Sequence, residues 1–169
     1  VSGTGRLEKW GVGTVTLLNG LSNARSVTQS TYSGGTIVQQ GVLASAAGTA
    51  TDTPFGSGSV TVQPGATLTL AHPNNVPGGI VVNSDLTGLG MVGLAYVGPV
   101  PTLTFNNGNL RGPFNGLLGI DVHGFNDTVD QAAIGSGSTF LGAPLGRVNQ
   151  GASIPGWSGA SVFTGTLLP

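Results

Sequence analysis

Four titratable side chains fall within ten residues of one stretch, IDVHGFNDTVDQ at 120–131: Asp121, His123, Asp127 and Asp130. Three carboxylates and an imidazole form a donor set for a divalent cation, the carboxylates suiting Ca²⁺ and the imidazole Zn²⁺. On a strand, Asp121 and His123 share a face, which is the outward one if Ile120 and Val122 are buried. Asp127 and Asp130 would then have to fold back onto them. The spacing matches neither an EF-hand loop nor a GGxGxD nonapeptide. Acid/base hydrolysis of a glycoside would need two carboxyl groups facing each other across a groove, and no aromatic sugar platform stands nearby. The stretch is therefore read as a polar loop, with these four residues as the one candidate metal cluster. No catalytic residue, cofactor-binding residue or cofactor is assigned. His72, at the edge of HPNNVPGG (72–79), reads as a solvated loop histidine.

Other chemistries are excluded more firmly. With no cysteine, the chain has no disulfide framework, thiolate metal site or cysteine nucleophile. It holds no phosphate loop, nucleophile elbow or HExxH helix. Its five basic residues, Arg6, Lys9, Arg25, Arg111 and Arg147, are scattered, and a phosphate backbone needs a basic stripe. Nucleic acid is thus not an expected partner. The longest apolar run, MVGLAYVGPVPTLTF at 91–105, is broken by Gly and Pro and falls short of the ~18 residues a membrane-spanning helix needs.

Charged residues make up 7% of the 169, against roughly 25% in ordinary soluble domains. The net charge of −1 gives little mutual repulsion, which favours self-association. The chain opens at Val1 with no Met, basic n-region or apolar h-region. It is read as a processed or excised piece of a longer exported polypeptide.

The elements that would position any site are short strands. GTVTLLNG (13–20), TYSGGTIVQQGVLAS (31–45) and PFGSGSVTVQPGATLTLA (54–71) each alternate apolar residues with Thr, Ser or Gln and stop at Gly, Asn or Pro. Period-two alternation puts Val15 and Leu17, Val60 and Val62, and Leu68 and Leu70 on one face, with Thr14, Thr16, Thr61, Thr67 and Thr69 on the other. Asn19-Gly20, Gly34-Gly35 and Pro64-Gly65 supply turns. The strand centres Val15, Val38, Val60, Val82 and Leu103 recur at a step near 22 residues, and a second series runs Leu43, Leu68, then Met91 or Val92. A fixed step of this size points to stacked units too small to bury their own apolar faces. The expected fold is all-β, a parallel β-solenoid. The alternative is a β-sandwich, whose turns would recur every 8–12 residues.

KWGVGTVTL (9–17), TYSGGTIVQQGVL (31–43) and PFGSGSVTVQPGATLTLA (54–71) together resemble one unit of the autotransporter-associated β-strand repeat, with all three segments in the family's order. The resemblance covers about residues 9–71. It implies a right-handed parallel β-helix in an exported, surface-exposed bacterial polypeptide. NGLSNARSVTQS (19–30) departs from the pattern and suggests a loop bulging from one coil. Beyond residue 71 only fragments such as PTLTFNNGNLRG (101–112) and IGSGSTFLGAP (134–144) resemble the unit.

The expected organisation is a leading segment or cap at 1–12, solenoid coils at 13–112, and an irregular continuation or capping lobe at 113–169. Arg6, Glu8 and Lys9 should be exposed, and Trp10 should cover the open end of the first coil. Residues 44–55 and 72–79 should be surface loops or turns. Asn106 and Asn107 should make a turn whose side chains stack from coil to coil. Leu167 and Leu168 should pack on a cap or on another subunit.

Two classes of function fit. The first is a structural or adhesive protein of the bacterial exterior, not an enzyme, self-associating into a fibre or surface layer or binding other surface proteins. The alternative is a carbohydrate-active or glycan-binding β-helix module, which would take glycans as partners.

Overall fold

From β1 to β10, successive strands alternate between two sheets. In this computed structural model the described residues are 1–17, 30–45, 53–70, 76–94, 110–120, 129–130, 139–142 and 167–168. The strands run β1 (Leu7–Lys9), β2 (Thr14–Leu17), β3 (Thr36–Val38), β4 (Val42–Ser45), β5 (Val60–Val62), β6 (Thr67–Leu70), β7 (Ile80–Val82), β8 (Gly90–Leu94), β9 (Leu110–Phe114), β10 (Gly116–Ile120), β11 (Val129–Asp130), β12 (Thr139–Gly142) and β13 (Leu167–Leu168). One sheet takes the order β1-β3-β5-β7-β9 and the other β2-β4-β6-β8-β10-β12, while β11 pairs with β13. Every pair of these strands is parallel. The antiparallel pairing of a β-sandwich is absent among the described strands; an isolated Asp85–Gly88 bridge is the antiparallel exception. The chain is thus all-β, with parallel strands in two sheets and no helix among the described residues.

Register turns the alternation of each strand into continuous columns. In the first sheet Lys9, Val38, Val62 and Val82 are partners, as are Leu7, Thr36, Val60 and Ile80. In the second, Val15, Leu43, Leu68, Val92, Leu118 and Leu141 follow one another. Val38, Val60, Val62, Ile80, Val82, Leu43, Leu68, Val92 and Leu118 are all buried. They join Phe55, Ala66, Leu70 and Val76 in a single core. Each such side chain contributes about 1.5–3 kcal/mol by leaving water, so columns only a few rungs long hold the sheets face to face.

The second strand series expected from the sequence is borne out: Leu43, Leu68 and Val92 are register partners. The first series needs correction. Val15 lies in β2 and pairs with Leu43, not Val38. Val38 pairs with Val62, whereas Val60 pairs with Thr36 and Ile80. The step is not fixed either, being 24 (60 − 36) between β3 and β5 but 20 (80 − 60) between β5 and β7. Leu103, Phe105, Asn106 and Asn107 lie outside the described residues. The next strand of the first sheet is β9, where the register slips between Ile80–Leu110 and Val82–Phe114. Pro113 falls inside that slip. Lacking an N–H, proline cannot complete the ladder, and an irregularity there accommodates it.

Two segments expected on the surface contribute to the core instead. Ala44, Ser45 and Phe55, within 44–55, are buried. So is Val76, within 72–79, although a turn does follow it at 77–78. Phe55 stands between Pro54 and Gly56 in a stretch of small residues, which disguised it. Its carbonyl accepts a bond from Thr36 Oγ1 at 3.3 Å, and the Tyr32 hydroxyl lies 2.6 Å from that Thr36 oxygen. With Thr36 donating to Phe55, Tyr32 must donate to Thr36. Burial pushes the Tyr32 phenol up from its ordinary pKa.

Glycines stand where the corner before the first sheet stacks most tightly. A Cβ on Gly34 would lie 2.5 Å from the Gly5 carbonyl oxygen, and one on Gly58 would lie 2.6 Å from the Gly35 nitrogen. One on Gly78 would strike Gly58 in turn. The obstacle is backbone each time, so it cannot turn aside. Gly58→Ala is expected to destabilise the fold by about 1–3 kcal/mol, the usual cost of overpacking. Gly13→Ala, where a Cβ meets nothing within 4 Å, should stay within about 0.5 kcal/mol of the parent. Urea unfolding of the two variants checks this, and equal losses would remove the steric account of the column.

Candidate functional site

The first rung, β1 with its turn and β2, is where charge, aromatic surface and exposed apolar surface meet. Arg6, Glu8 and Lys9 were expected to be exposed together. Arg6 and Glu8 do form a surface ion pair, but Lys9 is only 6% exposed. It occupies the column that continues as Val38, Val62 and Val82, where an apolar side chain would be usual. Its stem lies in that column while its ammonium reaches the turn. Nζ donates to the carbonyl oxygens of Trp10 at 2.9 Å, Gly11 at 2.5 Å and Gln40 at 3.0 Å. An ammonium has three donors, and three carbonyls take them. One of these, Gln40, comes from the next rung, so the charge ties the first turn to the second.

Trp10, expected to cover the open end of the first coil, lies on the surface instead. It is 63% exposed, and its Nε1 donates to Glu8 Oε2 at 3.0 Å. Glu8 thus accepts from Trp10 and from Arg6. The Trp10 bond, more than any other cause, holds the Glu8 carboxyl below its ordinary pKa; burial opposes it, and the Arg6 charge adds to the lowering. Beyond the turn, Val12 is 89% and Val15 43% exposed. Val15 is the column partner of Leu43, which is 1% exposed. The difference arises because Leu43 has a strand on each side, whereas among the described residues β2 has one only on the β4 side. A shallow cleft beside the rung is lined by Val1, Ser2, Gly5, Arg6, Leu7 and Tyr32.

A polar column runs past the ends of the first-sheet strands. Backbone N–H groups of Gln39, Gln63, Asn83 and Asn115 donate to the carbonyls of Lys9, Val38, Val62 and Val82, at 2.9–3.2 Å. These amide residues therefore stand one above another, and Asn83 Nδ2 reaches Gln63 Oε1 at 3.5 Å. Stacked amides were expected at Asn106 and Asn107, which lie outside the described residues. Next to this column, Asp85 Oδ1 accepts bonds from the N–H and hydroxyl of Thr87, at 2.7 and 2.6 Å. Both lower its pKa and fix the turn before β8.

Of the candidate metal cluster, Asp121, His123 and Asp127 lie outside the described residues, as does His72. Asp130 ends β11, where its backbone pairs with Leu168 of β13. Leu167 and Leu168 are therefore strand partners of Val129 and Asp130 within the chain. Among the described residues no three His, Cys, Asp or Glu side chains gather as a metal site, and no helix is long and apolar enough to cross a membrane.

Comparison with known proteins yields no relative: no family model matches the chain, and no curated protein or solved structure does.

Lys9→Met keeps the stem but leaves three carbonyls without their donor. It should cost about 1–3 kcal/mol, while Arg6→Ala, which breaks a surface pair, should cost about 0–1 kcal/mol. Urea midpoints will rank them, and equal small effects would show that the ammonium is not what holds the turn. The Glu8 carboxyl has a lowered folded-state pKa, so its stabilisation is present at neutral pH and is lost as pH falls through that lowered value. Glu8→Gln should accordingly flatten the fall of melting temperature with acid. An unchanged acid limb would contradict this.

Proposed function

We propose that the chain is a segment of an exported bacterial surface protein, built as a right-handed parallel β-helix, whose work is structural or adhesive. The observation that carries this reading is the alternation of successive strands between two parallel sheets. From β1 to β10 each odd strand is followed by an even strand in the other sheet, and the next odd strand returns beside the one before it. A chain that repeats this course coils. A right-handed coil is supported by the strong preference for right-handed crossover between parallel strands of one sheet. The columns of Val and Leu, the stacked glycines and the amide column then run along the coil axis.

Mechanical duty suits such a structure. Ladder bonds between rungs act together against extension, and interior columns exclude water along their length. The low charge of the chain and the exposed Thr14 and Thr16 leave contacts with other surface molecules to rest mainly on hydrogen bonding and apolar area. The motif resemblance over about residues 9–71 supports the same reading and supplies its bacterial, extracellular setting.

The test is enzymatic and cellular together. Purified protein is incubated with pectin, xylan and lipopolysaccharide O-chains, and release of new reducing ends or unsaturated ends is measured. No chain shortening is expected. The same protein, fused to an outer-membrane anchor and displayed on a non-aggregating bacterial strain, should increase cell clumping or surface attachment. Chain shortening, or display with no change in either adhesive behaviour, would overturn the reading.

A further inference from the structure

We infer that the outer face of the five-stranded sheet binds a neutral, extended polysaccharide of the β-1,4-linked class, laid along the stack of strands. The inference names the partner of the adhesive reading above and rests on it.

Two rows of side chains make this face. Glu8, Ile37, Thr61 and Val81 are register partners at the middle of β1, β3, β5 and β7. From β3 to β7 the residues on either side of them are buried in the core, so alternation turns the middle residues outward. All four are half-buried. Two positions further along each strand, and on the same face by the same alternation, stand Trp10, Gln39, Gln63 and Asn83. The N–H groups of Gln39, Gln63 and Asn83 donate to the carbonyls of Lys9, Val38 and Val62, so this second row keeps the register of the sheet. Trp10 heads it, as Lys9 stands before Val38.

The two rows match the two kinds of surface on a pyranose ring. Ile37, Val81 and the Thr61 methyl group form an apolar row suited to its C–H face. The amides face its hydroxyl edge with donors and acceptors. Asn83 Nδ2 reaches Gln63 Oε1 at 3.5 Å, and the Gln39 side chain bonds Glu8. The amide nitrogen of Gln63 and the amide oxygen of Asn83 are left, a donor and an acceptor one rung apart. A pair of vicinal hydroxyls can accept from one and donate to the other. Trp10 is exposed, and its Nε1 bond to Glu8 at 3.0 Å holds the ring in place. It is a large apolar surface with its polar handle already occupied, on which a sugar C–H face can stack.

Spacing and charge narrow the class. Rungs repeat at about 4.8 Å, and one unit of a flat β-1,4-linked chain advances by about the same distance. Each added sugar therefore meets another rung, whereas a coiled α-linked glucan leaves the row. The charges beside the face, Arg6 and Glu8, pair with each other, which favours a neutral chain over an acidic one. Each contact on such an open face is weak, so binding grows with chain length.

Nitrogen-15 spectra of the whole chain follow the side-chain amide signals of Gln63 and Asn83 during titration. Cellohexaose or β-1,4-mannohexaose should shift both, and cellobiose should bind at least tenfold more weakly. Maltohexaose and polygalacturonate should leave them unmoved. Gln63→Ala and Asn83→Ala, with urea midpoints confirming the fold, should each weaken hexaose binding about three- to tenfold, and Trp10→Ala at least as much. Length dependence in the unaltered chain keeps the test independent of the variants. No shift with either hexaose, equal affinity for cellobiose or maltohexaose, or undiminished binding in the folded variants would overturn the assignment. Self-association that Gln63→Ala dissolves, without saccharide binding, would give the face to a second copy instead and overturn it too. A failed titration leaves the adhesive reading to the display assay, whereas polysaccharide cleavage would remove that reading even if the face binds.

Discussion

The fold depends on the parallel backbone ladder between strands that are distant in sequence. A strand of three to five residues buries little alone, and its N–H and C=O groups have no partners inside its own turn of chain. From β1 to β10 they are satisfied when the next odd strand arrives beside the last odd strand, and the next even beside the last even. An unsatisfied backbone group out of water costs about 1–3 kcal/mol, so each turn of chain requires the one before it. The same pairing lays Val38 on Val62 and Val82, and Leu43 on Leu68 and Val92. Hydrogen bonding and apolar burial therefore come from one act of registration.

Everything else accommodates that stacking. At the corner before the first sheet the backbones approach so closely that Gly34, Gly58 and Gly78 have no room for a methyl group. Past the ends of the first-sheet strands, amide side chains occupy equivalent places, and Asn83 reaches Gln63. At β1 the pattern changes. Lys9 takes a place that elsewhere holds Val, and three carbonyls neutralise the cost of burying its charge. Val15, in the other sheet, is partly exposed.

The strands themselves were legible because period-two alternation survives in very short segments. TVTL, TIV, VTV and TLTL all became strands, and Pro64-Gly65 makes the turn expected of it. The assignment of strands to sheets was not legible. Both strands of a rung alternate in the same way, so Val15 looked equivalent to Val38 although it faces Leu43. Variable connections blurred the period further, since steps of 20 and 24 residues average to an apparent 22. The first-rung site was half legible: charge at 6–9 and an aromatic at 10 stood out, but local pattern cannot say that a lysine will find three carbonyls, one of them 31 residues away. The titratable stretch at 120–131 stood out for its composition, and of its four candidates only the backbone of Asp130 falls among the described residues.

Residue order alone determined that this chain makes short strands of low charge punctuated by glycine, because side-chain alternation and turn chemistry are local properties. Tertiary structure decided which strand lies on which, that Phe55 and Val76 enter the core, and that Lys9 is buried while Val15 is not. Those outcomes depend on neighbours brought close by registration across 20 or more residues, and a local pattern carries no measure of that distance.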